Sequence, residues 1–181
     1  MDLSTPPLSL LPLSPEWTGQ AAPLYEQAFP LAERRPTDVW TQMLGGHRYF
    51  SGYAIAEGGD FCGLLTAWHF ETFVYVEHFA ILPEKRNGQK GARALAQFVA
   101  LQSPLPIVLE VEEPTEEMAR RRIGFYERGG FSLLTPPYLQ PPYRQGDAPL
   151  PMKLMVHEGG RPAADIASLR ATLYREVYGH R

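Results

Sequence analysis

Cysteine is nearly absent from this sequence: Cys62 is the single one in 181 residues, so no internal disulfide can staple the chain. That removes any disulfide framework, and a reducing, cytoplasmic setting is expected. A basic excess is missing too. The 17 Lys and Arg against 20 Asp and Glu leave a formal charge of -3, with nothing spare to neutralise a phosphate backbone or an anionic membrane surface. Neither nucleic acid nor membrane is an expected partner. Long apolar runs are also lacking. None approaches the ~20 residues that span a bilayer, and the opening MDLSTPPLSLLPLSPEW has no basic start and an apolar part broken by prolines. Neither a signal peptide nor a spanning helix fits. The histidines His47, His69, His78, His157 and His180 show no paired ligand spacing, so no metal is expected.

What is present suits a globular protein. The chain is 44% hydrophobic and 20% charged, far from the composition of disorder, and its length fits one domain with a sizeable core. Its prolines gather at positions 6–15 and 136–151, as extended chain rather than low complexity, and no internal repeat is visible.

Hydrophobic periodicity sets out the elements. Leu8 to Leu13 reads as a strand. A helix follows from Pro15, with Ala22, Tyr25, Ala28 and Phe29 at helical spacing, then a short one carrying Val39, Trp40 and Met43 up to Gly45-Gly46. Three strands come next, Tyr49 to Ala56, Cys62 to Phe70 and Phe73 to Leu82, connected as a meander. A glycine-bearing loop from Arg86 to Gly91 leads into a helix with Ala92, Leu95, Phe98 and Val99. Then come a strand at Ile107 to Val111, a helix at Thr115 to Arg128, strands at Phe131 to Leu134 and Met152 to Val156, and a last helix from about Pro162 to Tyr178. The expected fold is α/β: a mixed, mostly antiparallel sheet of six to seven strands with helices on both faces. The main domain is expected over 1–158, with 159–181 a C-terminal helical extension. The apolar stripe of that helix, Ile166, Leu169, Leu173 and Val177, must bury itself on its own domain or on a second copy, so monomer and homodimer both stand.

The most informative stretch is the strand, loop and helix from Val74 to Val99, because a glycine-bearing turn into a helix N-terminus aims several backbone N–H groups at one spot. Such a spot binds phosphates. A nucleotide P-loop is excluded by the missing Lys-Ser or Lys-Thr pair, and Gly-x-Gly-x-x-Gly is not spelled out either. The segment EHFAILPEKRNGQKGARAL resembles motif A of the GNAT acetyltransferases, Gln/Arg-x-x-Gly-x-Gly/Ala after a strand. IGFYERGGF downstream resembles the Phe-Tyr-Glu-x-x-Gly-Phe signature of the same family, and two motifs in order are far more specific than one. The resemblance runs roughly from Leu8 to Val156. It departs at Gln89, where the middle glycine is usual, with Gly88 beside it instead. It departs again at Ala119 and Arg122, where the family often has Asn and Ala.

The resemblance implies an N-acetyltransferase that uses acetyl-CoA and acylates a primary amine on a small molecule or peptide. An acyl-CoA-binding sensor without turnover is the alternative. The cofactor would lie along Phe79, Ala80 and Ile81, with its pyrophosphate on the loop Arg86, Asn87, Gly88, Gln89, Lys90, Gly91 and Ala92. Tyr126, in the signature tyrosine position, would donate to the CoA sulfur. Glu77 is the first choice of base, Glu110 and Glu112 are second choices, and His78 should face away from Glu77 unless a bulge breaks strand parity. Phe29, Trp68, Glu110 and Tyr138 are expected on the acceptor side, where aromatics and a carboxylate suit an amine.

Overall fold

A computed structural model describes residues 6–180 of the chain. Among them, eight strands form one sheet in the order β1-β2-β3-β4-β5-β8-β6, with β7 pairing to β8 beside it. The strands are β1 (Leu8–Pro12), β2 (Phe50–Glu57), β3 (Asp60–His69), β4 (Val74–Ile81), β5 (Ile107–Glu112), β6 (Ser132–Leu133), β7 (Tyr138–Gln140) and β8 (Leu150–His157). All pairings are antiparallel except β4 with β5. The eighth strand, β7, lies in the proline-rich stretch that the sequence reads as a connection. Three residues between prolines are too few for alternation to show.

The two faces of the sheet carry separate cores. On one, α1 (Pro15–Ala28) and α2 (Thr37–Leu44) bury Leu24, Tyr25 and Trp40 against Phe50, Trp68 and Tyr75. The same cluster takes in Leu169, Leu173 and Val177 from α5 (Ile166–Thr172) and its π-helical continuation Leu173–Val177. The last helix therefore buries its stripe on its own chain. It starts four residues later than Pro162, at an N-cap where Asp165 accepts from the amide of Ser168, a stronger start signal than a proline. On the other face, α3 (Lys90–Gln102) and α4 (Glu117–Arg128) pack Leu95, Phe98, Ile123 and Tyr126 over Val76, Ile81 and Leu109. None of the described helices is long and apolar enough to cross a membrane.

Two features of β4 set the geometry of the cleft beside it. It pairs with β5 only from Val74 to Val76, so beyond Val76 the two strands part and leave their backbone edges facing a gap. Against β3, the register shifts between Thr66, opposite His78, and Ala67, opposite Val76. Glu77 is the extra residue of this bulge. A bulge breaks the two-residue parity of a strand, and both Glu77 and His78 turn toward the α1 face: Glu77 meets Arg35 and Trp68, His78 meets Tyr25 and Phe29.

Candidate active site

The gap between β4 and β5 opens into a cleft of about 760 Å³. Its walls include Val76 to Ile81 of β4, Leu109 and Glu110 of β5, Phe125 and Tyr126 of α4, and the start of α3.

At one end stands the N-terminus of α3, which no side chain caps; the Lys90 amide bonds to the Asn87 carbonyl, and the amides of Gly91 and Ala92 remain open to a ligand. Gly88 and Gln89 both take the left-handed conformation, with φ of 59° and 55°. Gln89 thus keeps the backbone shape that glycine adopts freely, at the position where the motif usually has glycine. Arg86, Gln89, Lys90, Gly91 and Ala92 line the cleft, whereas Asn87 and Gly88 do not. The Lys90 ammonium is turned onto Glu57 at 3.0 Å and Asn87 Oδ1 at 2.8 Å, so its charge is already partnered. Arg122 and Arg128 of α4 also line the cleft. Arg128 was not singled out from the sequence, because a basic residue in the last turn of a helix reads as a dipole partner.

Tyr126 also lines the cleft, and its ring packs on Phe125 and Phe131. Its hydroxyl bonds to no side chain among the described residues. Burial pushes it up to about 12, which keeps it protonated and a donor at neutral pH.

At the far end lie two carboxylates on the same face of the sheet. Glu77 is fully enclosed: its Oε1 pairs with Arg35 and accepts from Tyr143 Oη at 3.0 Å, and its Oε2 accepts from Trp68 Nε1 at 3.1 Å. Burial alone would raise its pKa, but the Arg35 charge and the hydrogen bonds from Arg35 and Trp68 outweigh it, and the carboxyl is held below its usual range. Glu77, the first choice of base from sequence, is therefore a charge already balanced by its partner. Glu110 accepts from Tyr138 Oη at 2.5 Å, from Tyr178 Oη at 2.7 Å and from Gln140 Nε2, and burial pushes it above the carboxylate range. Phe29 joins Glu110 on the cleft wall. Trp68 and Tyr138 stand one layer behind, each donating to a carboxylate. Glu112 lies further out at the end of β5, 3.9 Å from Arg122.

His78 is buried between Tyr25 and Phe29, and its Nε2 lies 2.9 Å from the carbonyl of Glu33. Burial lowers its pKa, so it is neutral and its Nε2–H is the donor. Arg35 and Tyr143 end the two stretches, Phe29 to Arg35 and Tyr138 to Tyr143, that the sequence offers for the acceptor side, whereas Tyr178 is not singled out by the sequence. Among the described residues no group of three or more His, Cys, Asp or Glu is placed to hold a metal ion.

No protein-family model and no curated protein matches the sequence. Among solved structures, a protein of Bacteroides thetaiotaomicron assigned to the GNAT acetyltransferases is 38% identical over 97% of this chain and 99% of its own, with a TM-score of 0.88. The chain belongs to the GNAT family. More distant GNAT folds include spermidine N-acetyltransferase from Vibrio cholerae, solved with CoA and spermine, at 13% identity, TM-score 0.63, and 82% and 94% coverage of the two chains. NAA60 from Arabidopsis thaliana, solved with acetyl-CoA, superposes with a TM-score of 0.62 at 14% identity, over 83% of this chain and 97% of its own. At such identities these two show the GNAT fold alone. The open α3 terminus, the parted strands and the buried tyrosine are thus features of a GNAT chain whose matched relatives are described as acetyltransferases.

Proposed function

We propose that this chain is an N-acetyltransferase that moves an acetyl group from acetyl-CoA to a primary amine within one ternary complex. The observation that carries this reading is a single cleft lined by an uncapped helix N-terminus, by the buried carboxylates Glu77 and Glu110 and by Tyr126. The pyrophosphate would rest on the amides of Gln89 to Ala92, with Arg86 beside it. The pantetheine arm would bond to the backbone of Phe79 to Ile81, where β4 has lost β5 as a neighbour, as an added strand does.

Amine attack needs the acceptor neutral, the thioester carbonyl close and the thiolate stabilised as it leaves. Tyr126 supports the last of these as a hydrogen-bond donor. With its phenol at about 12 and an alkyl thiol at roughly 8.5, complete transfer would run ~5 kcal/mol uphill. The tyrosine therefore shares its proton with the developing charge on sulfur and keeps it.

The substrate class is a small-molecule or peptide amine that reaches the carboxylates past Phe29. An acceptor screen tests the reading: acetyl-CoA with a panel of alkylamines, amino acids, polyamines and short peptides, followed by a thiol-detecting dye. Amine-dependent thiol release supports it. CoA affinity without release would make the chain a sensor of acyl-CoA instead.

A further inference from the structure

Three carboxylates line the cleft, Glu33, Glu77 and Glu110, and the two on the sheet differ in one respect: Glu77 has a cation and Glu110 has none. Arg35 pairs with Glu77, whereas no basic side chain makes an ion pair with Glu110 among the described residues. Neutral donors alone hold Glu110, from Tyr138, Tyr178 and Gln140. Gln140 is itself committed to this task, since its Oε1 is buried without a partner and its Glu110 contact is what orients the amide. The other titratable groups around Glu110 are Tyr75 and Glu77 from β4, Tyr143 from the loop after β7, and Tyr174 from the last helix. None brings a positive charge, and Arg35 is spent on Glu77. These hydrogen bonds fix the carboxylate in place and favour its charged form, but burial with no cation beside it outweighs them, so a proton arriving from the cleft is favoured there.

One of these donors comes from an unexpected part of the chain. Tyr178 follows the π-helical turn at the very end of the last helix, outside the resemblance to the family core. Its hydroxyl reaches Glu110 Oε2 at 2.7 Å and stands 3.3 Å from the hydroxyl of Tyr75. Its ring lies 5.1 Å from that of Tyr143, which donates to Glu77. One residue earlier, the carbonyl of Val177 accepts from Arg35 Nη2 at 2.7 Å. The buried side chains of Leu173 and Val177 hold this turn on the core.

We infer that the last turn of the chain is a working part of the acceptor site: Glu110 takes the proton of the incoming ammonium, and Tyr178 is the positioning residue that holds Glu110 for it. The inference rests on the acetyl-transfer reading. An alkylammonium, with a pKa of roughly 10.4, gives one proton to the Glu110 carboxylate. The freed nitrogen lone pair forms a bond to the thioester carbon, and the C–S bond breaks with its electron pair on sulfur. The second proton lost from nitrogen ends on the thiolate, and Glu110 returns its proton to water. The sum is ammonium plus acetyl-CoA giving amide, CoA thiol and one proton.

The test compares wild type, Glu110→Gln and Tyr178→Phe by two readouts. Infrared titration follows the protonated-carboxyl band without any acceptor. In wild type a band should persist above the pH at which ordinary glutamates ionise, and Glu110→Gln should lack it. Tyr178→Phe should move it to higher pH, because a donor to the charged form is gone. With an amine found active in the acceptor screen, the acid limb of kcat/KM should move the same way. Glu110→Gln should lose 10²- to 10⁴-fold in kcat, with KM for acetyl-CoA unchanged in both variants. A Tyr178→Phe enzyme with a lower melting temperature but an unmoved band and limb would overturn the positioning role. A Glu110→Gln enzyme within threefold of wild type would overturn the proton transfer. If wild type acetylates no amine at all, the acetyl-transfer reading falls first and this inference with it.

Discussion

Arg35 and Glu77 form an ion pair almost wholly out of water, the guanidinium side chain 8% exposed and the carboxylate side chain 0%. Both ends are further satisfied, Arg35 by the Val177 carbonyl and Glu77 by Trp68 and Tyr143. Breaking such a pair from one side strands the other charge, at a cost of about 3–5 kcal/mol. Arg35→Met should therefore lower stability by that order in urea unfolding. The double variant Arg35→Met/Glu77→Gln should recover much of the loss. The pH dependence has a definite sign. Because the folded pKa of Glu77 is depressed, its contribution is complete above the unfolded carboxylate pKa and disappears as pH falls through the folded value. Wild type should thus lose stability on the acid side more steeply than Glu77→Gln. Parallel pH curves would contradict the pairing.

At the start of α3, Gln89 holds a left-handed φ of 55° without the freedom of glycine. Gln89→Gly should remove that strain and raise stability by up to about 1 kcal/mol, while the open amides of α3 keep their direction. Thermal unfolding reads the first and CoA calorimetry the second. A lowered melting temperature would mean that the glutamine side chain contributes more than its backbone costs.

Gly91 separates shape from charge. A Cβ there would sit 3.6 Å from Phe125 and 3.7 Å from Ile81, ordinary contact distances, so Gly91→Ala should fold as wild type does. Gly91→Glu adds length and a negative charge beside the proposed phosphate site and should abolish CoA binding without unfolding the protein. Equal CoA affinity in the glutamate variant and wild type would displace the pyrophosphate from this loop.

The fold was largely legible in the sequence because its signals are local. Ala92, Leu95 and Phe98 recur at helical spacing, and the meander alternates around the Gly58-Gly59 turn. The glycine-bearing turn into α3 was legible for the same reason, since its shape is written within the six residues from Arg86 to Gly91. The contacts around Glu77 and Glu110 were not. Tyr178 meets Glu110 across 68 residues of sequence, and Val177 meets Arg35 across 142. No periodicity encodes such a contact. Glu77 was picked out by its place in β4, but its surroundings depend on a bulge that one strand's pattern cannot reveal. Only the partner register shows that Glu77 and His78 share a face.

Tyr126 should matter only when charge develops on sulfur. Tyr126→Phe is expected to lower kcat about ten- to a hundredfold, the scale of one donor to a developing charge being 10²–10³ at most. CoA affinity should stay within a factor of two or so, since the hydroxyl makes no ground-state ion pair. Single-turnover kinetics beside calorimetry separates the two effects. An unaltered rate would return Tyr126 to the core, where its ring already packs on Phe131.

Direct transfer from acetyl-CoA to an amine held in this one cleft has its sharpest test in initial rates with both substrates varied, following thiol release and the mass of the acylated acceptor in the same reaction. Direct transfer predicts release that requires the amine, an acceptor heavier by one acetyl group, and double-reciprocal lines that intersect. Parallel lines with an acetylated protein, or CoA binding with no thiol release for any amine, would contradict it.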